Sequence, residues 1–330
     1  DSLNCSELVR VRITEGRFIS IEEPSTKNYP EDRVEMFHEQ VLQLLKIIDL
    51  PDVDFYLTTH DGGPNCGLVT ERTGVLAHDE HVWKHIPVPV SLLPPRSVEW
   101  QVDQAENLWD RTKWREKNQA AVFRGSSTGD IWTEEDQVRK SPRVQAALFS
   151  LAHPDLLDAR IIEPLVQTNT VAEEALRSMG VLGPRLSKAE QQQYKMILVL
   201  DGNSLPDRFL QDLAGGSAVL RQESRGMDIH TSLFEPWVHY VPLHQNLSDL
   251  EEKLIWAREH DEELRLMAWR AKRRAMRLFQ DPSRMWHCHF LQVIEEYAKR
   301  IRFNVSRGPN PTAICPENIA SESDAPPNGQ

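Results

Sequence analysis

The stretch YKMILVLDGNSLPDRFLQDLAGGSAVLRQES, residues 194–224, most narrows the folds open to this chain. It reads strand, loop, helix, Gly-Gly, strand, a βαβ unit. Its first strand, MILVL, is apolar on both faces, as a buried parallel strand must be. An α/β architecture follows. Open α/β sheets bind ligands in the crevice beyond the carboxyl ends of their strands. That rule singles out three loops: after Leu57 (THDGG), after Phe123 (RGSSTG) and after Leu200 (DGNSLPDR).

The rest of the chain fits the same class. Residues 8–22 alternate apolar and polar around Glu15-Gly16, a β-hairpin pattern. Residues 31–49 place Val34, Phe37, Val41, Leu44 and Ile47 at helical spacing behind an acidic first turn. Residues 53–63 read as a strand running into Gly62-Gly63, and 86–92, with two prolines, as an edge strand. A helix is expected at about 100–117, a strand at 120–129, and helices near 134–151 and 170–179. A strand at 239–243, helices over 247–279 and a last amphipathic helix at 281–303 complete the series. The tail, 307–330, is rich in Pro, Asn, Ser and acids and reads as disordered. A chain of 330 residues exceeds what one hydrophobic core usually organises, so two lobes are expected.

The formal net charge of −12 argues against non-specific nucleic-acid binding, which needs a basic face to displace counterions. No run of ~18 apolar residues is present to span a membrane. The start, DSLNCSELVR, has neither the basic nor the apolar region of a signal peptide, and reads as a truncated or processed chain. Cys5, Cys66, Cys288 and Cys315 form no CxxC pair; the even number suits two disulfides or four free thiols. Asn-x-Ser sequons at Asn4, Asn246 and Asn304 lean towards a secretory compartment.

Several residues can carry chemistry. In Arg124-Gly125-Ser126-Ser127-Thr128-Gly129 the arginine could clamp a phosphate through paired hydrogen bonds. The small residues could let the phosphate approach backbone N–H groups. A polar turn with a surface arginine is the alternative. Arg208 follows Asp201-Gly202-Asn203 in the first helical turns, where a cation opposes the helix dipole unless an anion is near. Pairing with Asp207 or Asp212 would also account for it. Asp61 ends a strand and could serve as a general base or merely cap the loop. Asp52-Val53-Asp54 matches a D-x-D metal pattern but precedes its strand, where a ligand pair should follow one. His78, Asp79, His81 and His85, and His287 with His289, show no three-ligand metal spacing. The aromatic run Phe234 to Tyr240 reads as packing around a strand or as a nucleotide-pocket wall.

VFRGSSTG, the 194–224 unit and EPWVHYVPLHQNLSDLEEKLIWAREHDEE resemble, in order, the signatures of glycosyltransferase family 90. That family holds animal protein O-glucosyltransferases and fungal capsule xylosyltransferases. The resemblance is specific over 120–129 and 194–260 and looser from about 53 to 303. It implies a GT-B fold of two Rossmann-like lobes facing a cleft. Residues 1–118 would form the acceptor side, 119–280 the nucleotide-sugar side, and the helix 281–303 would cross back. It implies inverting, metal-independent transfer of glucose or xylose from a UDP-sugar, without a cofactor, to a protein or glycan hydroxyl in the endoplasmic reticulum, the Golgi or outside the cell. Arg124 and Arg208 would lie at the donor phosphates, with Gly125, Ser126, Ser127, Thr128, Asp201, Gly216, Ser217 and Glu223 around the donor. Asp61 would be the catalytic base. The N-C-S segment at residues 4–6 implies a Cys5–Cys288 disulfide.

The mechanism that the resemblance implies agrees with the reading of the residues. Breaking a glycosyl–phosphate bond leaves negative charge on the diphosphate, and cations must stabilise it as it develops. Residues 62–118 differ from the animal enzymes, so EGF-like domains as acceptor do not carry over. Three other readings remain open: a polysaccharide xylosyltransferase, a non-catalytic lumenal binding protein of the same fold, and a His/Asp metallohydrolase.

Overall fold

The computed structural model describes residues 6, 8–27, 31–58, 75–77, 86–87, 112–129, 131–203, 206, 208–224, 233–280, 282–308 and 312–313. The elements are β1 (Val9–Thr14), β2 (Phe18–Glu22), α1 (Glu31–Leu45), β3 (Val53–Thr58), β4 (Val75–Ala77) and β5 (Ile86–Pro87). After a 3₁₀ turn at Trp114–Glu116 come β6 (Asn118–Gly125), α2 (Glu135–Lys140), α3 (Pro142–Ala152), β7 (Leu157–Ile161), α4 (Thr170–Ser178) and α5 (Lys188–Gln191). Then follow β8 (Tyr194–Val199), α6 (Arg208–Gly215), β9 (Ala218–Gln222), β10 (Val241–Leu243), α7 (Leu250–Glu259), α8 (Asp261–Gln280), α9 (Pro282–Ala298) and β11 (Thr312–Ala313).

The first sheet runs β11-β2-β1-β3-β4-β5. β1 pairs antiparallel with β2 and β3, and β4 and β5 continue parallel to β3. The β1–β2 turn uses Glu15 and Gly16 at φ 54° and 72°. A Cβ on Gly16 would lie 2.9 Å from Asp49 Cβ, so glycine is required there. Val11, Ile13, Val53, Phe55 and Leu57 bury against Phe37, Val41 and Leu44 of α1 and Trp286, Phe290 and Ile294 of α9. The last helix thus returns to the core of the first sheet. Phe37 meets Phe290 and Trp286 edge-on at 5.4 and 5.7 Å, a favoured aromatic geometry.

The second sheet is parallel throughout, in the order β10-β9-β8-β6-β7. Read from β7 in chain order this is 2-1-3-4-5, a doubly wound sheet. Both faces of β8 are covered, which explains its apolar sequence. Met196 and Leu198 join one core with Val144 and Leu254, while Ile197 and Val199 join another with Phe209, Leu213 and Ala275.

Several expectations change. α1 stops at Leu45, leaving Ile47 58% exposed rather than on the buried stripe. The helix expected over 134–151 is two helices, because Ser141 is extended ahead of Pro142, and proline opens a helix more readily than it continues one. Within 112–117 only one 3₁₀ turn forms. β7 was not foreseen: its sequence LDARI alternates apolar with charged residues at the sheet edge. The tail is ordered in part, since β11 pairs with β2 and the Arg307 guanidinium lies 3.8 Å from the Phe18 ring centroid.

Candidate functional site

In a sheet of order 2-1-3-4-5 the chain leaves β6 on one side for β7 and returns on the other for β8. The carboxyl ends of those two strands form the topological switch point, where such sheets bind ligands. Residues 126–129 follow β6 and 200–203 follow β8, so the two loops singled out by sequence meet there. Their approach is close. The Gly129 amide donates to Asn203 Oδ1 at 3.0 Å. A Cβ on Gly202 would fall 2.9 Å from Thr128 Oγ1 and 2.7 Å from Arg143 Nη2.

Arg143 is the residue the sequence reading missed. From the first turn of α3 it donates to Asp201 O (2.8 Å), Ser126 O (2.8 Å), Thr128 Oγ1 (2.7 Å) and Leu200 O (3.4 Å). It ties both loops together, and every one of these acceptors is uncharged. Burial, with the neighbouring Arg208 charge, pushes its pKa down to about 9, Asp201 partly opposing. A signal was available: Arg143 follows Pro142 in a first turn without acids, the same opposition to the helix dipole that marked Arg208.

Arg208 opens α6 and donates through Nη1 to the Arg124 carbonyl at 2.5 Å. Its Nη2 is buried without a hydrogen-bond partner, while 20% of the side chain remains exposed. Asp212 stands 3.8 Å from Arg208 Nε but is held at 2.5 Å by Lys188. Burial lowers the pKa of Arg208, with Asp212 opposing. Burial likewise lowers that of Lys188. Two guanidinium charges therefore adjoin the switch point with little carboxylate among the described residues to neutralise them. Charge left in that state is costly unless a ligand supplies the anion.

The Arg124 guanidinium makes four hydrogen bonds within the protein. Its Nε donates to Pro184 O, its Nη1 to Phe123 O and Asp158 O, and its Nη2 to Asp158 Oδ2, all within 2.9–3.0 Å. Two of these bonds reach Asp158 of β7, because parallel pairing sets Arg124 beside Arg160, two residues on from Asp158. Burial alone would raise the Asp158 carboxyl; bonding to Arg124 and Tyr194 outweighs it and holds the group below its ordinary value. Arg124 contributes its carbonyl, which positions Arg208.

Ser127 is likewise structural, its buried hydroxyl donating to Val166 O and accepting from Val166 N, both at 2.7 Å. Gly125 is buried, and a Cβ there would meet Phe123 at 2.6 Å. Ser126, Thr128 and Asp201 stay partly exposed at the loops, and Glu223 is exposed at the carboxyl end of β9. Gly216 and Ser217 lie at the opposite end of the sheet, ahead of β9. Ser217 Oγ donates to Tyr194 O at 2.6 Å and accepts from Lys117 Nζ at 3.0 Å. Both residues precede their strand and so stand apart from the switch-point loops. Gln222, not foreseen, accepts from the Asp201 amide at 3.0 Å and donates to Gln245 O at 2.5 Å, bracing the second loop.

Asp54 is not a ligand-like acid: it accepts a paired bond from Arg10 at 2.8 and 2.7 Å. Among the described residues no group of three or more His, Cys, Asp or Glu gathers as a metal site. The aromatic run packs rather than opening a pocket, Phe234 and Tyr240 meeting Phe209 edge-on at 5.8 and 5.6 Å. Asn246 and Asn304 are exposed; Asn4 lies outside the described residues. Cys288 carries an exposed free thiol. Its expected partner Cys5, together with Cys66, Cys315 and Asp61, also lies outside the described residues. No helix among the described residues is long and apolar enough to cross a membrane.

Comparison with known proteins agrees with the signatures. The chain is 29% identical over 301 residues to Protein O-glucosyltransferase 3 of Homo sapiens, covering 85% of this chain and 55% of that one. It is 25% identical over 247 residues to Protein O-glucosyltransferase 1 of Rattus norvegicus, covering 73% and 57%. A third relative, Uncharacterized protein 027R of Frog virus 3 (isolate Goorha), is 34% identical over 172 residues, covering 47% of this chain and 17% of that one. The chain spans little more than half the length of the two O-glucosyltransferases. Residues 88–327, more than half of the chain, match the model of glycosyl transferase family 90. With its switch-point loops and its order of signatures, the chain belongs to glycosyl transferase family 90.

Proposed function

We propose that this chain is an inverting, metal-independent glycosyltransferase that moves glucose or xylose from a UDP-sugar to a hydroxyl of a protein or glycan. The observation that carries the reading is the pair Arg143 and Arg208 at the ends of β6 and β8, cations whose charge is left largely unneutralised. A diphosphate there would accept from Arg208 and lie in the field of Arg143. Both charges are in place before the reaction, so leaving-group charge is stabilised without reorganisation. Preformed cations of the protein's own would do what a divalent ion does elsewhere. Glucose and a protein hydroxyl are favoured because two relatives are named protein O-glucosyltransferases.

The acceptor oxygen would attack the anomeric carbon from the face opposite the diphosphate. Asp61 would take its proton, and the UDP oxygen would leave with the bonding pair. The first sheet with α9 would form the acceptor-side lobe and the second sheet the donor lobe of a GT-B pair. Exposed Asn246 and Asn304 suit glycosylation in a secretory lumen.

The test is UDP release from UDP-glucose and UDP-xylose, assayed separately in excess EDTA. Release from either supports the reading, and absence of UDP binding removes it. Asp61→Asn should retain UDP binding, measured by titration, and lose transfer; full activity would dismiss Asp61 as the base.

A further inference from the structure

The outer face of α8 carries Leu266, Trp269, Arg270, Arg273, Arg274 and Arg277, all exposed. Their spacing of three and four residues sets them on one side of the helix. The opposite side, with Leu264, Met267, Ala271 and Ala275, is buried in the cores flanking the second sheet. Exposed cations on helices elsewhere pair with an acid three or four residues away. Arg139 pairs with Glu135, Arg300 with Glu296, and Arg265, earlier on α8 itself, with Glu262. Among the described residues Arg270, Arg273, Arg274 and Arg277 make no such ion pair and no side-chain hydrogen bond. Like charges at this spacing weaken a helix. Arg273 lies over the Trp269 ring at 4.6 Å, which holds a cation and an apolar surface together. The positive field reaches inward too: burial lowers the pKa of His239, and the charges of Arg274 and Arg270 lower it further, with Glu235 opposing.

Four mutually repelling cations beside an exposed tryptophan and leucine destabilise the free helix, and an acidic partner would relieve them. We propose that this face of α8 docks an acidic polypeptide segment whose carboxylates flank an apolar residue. The planar fork of arginine matches a carboxylate, and arginine and tryptophan are the side chains that most often carry the binding energy of protein interfaces. The face runs from Leu266 to Arg277, at a rise of ~1.5 Å per residue about 17 Å, which an extended segment of about five residues covers. An anionic lipid surface fits less well. A plane meets a whole side of the molecule, the chain carries a net charge of −12, and exposed Glu262 and Glu263 adjoin the arginines on the same helix. Docking of this kind does not depend on the transferase reading.

Fluorescence anisotropy of a short labelled peptide, glutamates interrupted by leucines, titrated with the whole chain at ~0.15 M salt tests the surface. A peptide with glutamine in place of every glutamate is the control. Saturable binding of the glutamate peptide alone is expected. Arg273→Gln combined with Arg277→Gln should weaken it about tenfold or more, and Trp269→Ala about tenfold. Arg139→Gln, at an exposed and paired cation on α2, should leave the affinity as it is. Every substitution falls at an exposed side chain, so the fold is retained. Equal binding of the glutamine peptide, a response that never saturates, or unaltered affinity in either α8 variant overturns the docking site. Displacement of the peptide by phosphatidylserine vesicles that themselves bind the chain would overturn it in favour of a lipid surface.

Discussion

Each sheet holds a cluster of arginines, and the two clusters are neutralised very differently. On the first sheet Arg10 and Arg12 converge on Asp54, at 2.7 and 3.3 Å, and Arg12 also pairs with Glu22. The bond to Asp54 raises the pKa of Arg10. At the switch point of the second sheet burial lowers the pKa of Arg143 and of Arg208. Among the described residues the acid beside Arg208 is Asp212, shared between Lys188 at Oδ1 (2.5 Å) and Arg208 Nε at Oδ2 (3.8 Å). A neutralised cluster serves the fold, whereas cations left short of acids can serve a ligand. By this criterion Arg124, closed on Asp158, groups with Arg10 despite its place in the signature.

The comparison breaks most readily at Arg208. Arg208→Ala should lower kcat/KM for UDP release about hundredfold or more, the scale of losing a preorganised donor to developing charge. Its melting temperature should hold or rise, because an incompletely paired buried cation is removed. A collapse of stability alongside activity would place Arg208 with the structural arginines. Arg143→Gln comes next, with a ten- to hundredfold loss in kcat/KM as the loops it ties lose register. Steady-state kinetics would show that loss chiefly as a raised donor KM.

On the other side of the comparison, Asp54→Ala should cost about 2 kcal/mol in urea unfolding. That is less than the loss of a fully buried pair because Arg10 is 37% exposed. Donor KM should not move, and a change in KM would blur the division drawn between the clusters. The smallest effect is expected from Ser217→Ala, about 1 kcal/mol of stability with unchanged KM. A KM effect there would place Ser217 at the donor.

Much of the architecture was legible because it is written in local periodicity. The alternation of 8–22 gave a hairpin, and the helical spacing of Val34, Phe37, Val41 and Leu44 gave α1. Ends were harder: Ile47 continues the apolar spacing beyond the point where the backbone leaves the helix. β7 escaped because Asp158 and Arg160 interrupt its apolar residues, and both charges find partners only across the sheet. The two loops singled out by sequence do meet, with Arg208 bonded to the Arg124 carbonyl beside them. Gly216 and Ser217 stand apart from both loops, since a residue ahead of a parallel strand lies at the end away from the switch point.

The sequence by itself determined that a parallel α/β sheet would form and where its switch-point loops would fall. The apolar run MILVL can be satisfied only with both faces covered, and the strand-to-helix order fixes which loops follow carboxyl ends. Only the tertiary structure decided which arginines those loops present. Neutralising a cation is a long-range event: Arg124 meets Asp158, 34 residues away, while Arg143 reaches carbonyls 57 and 58 residues away and finds no carboxylate among its bonds.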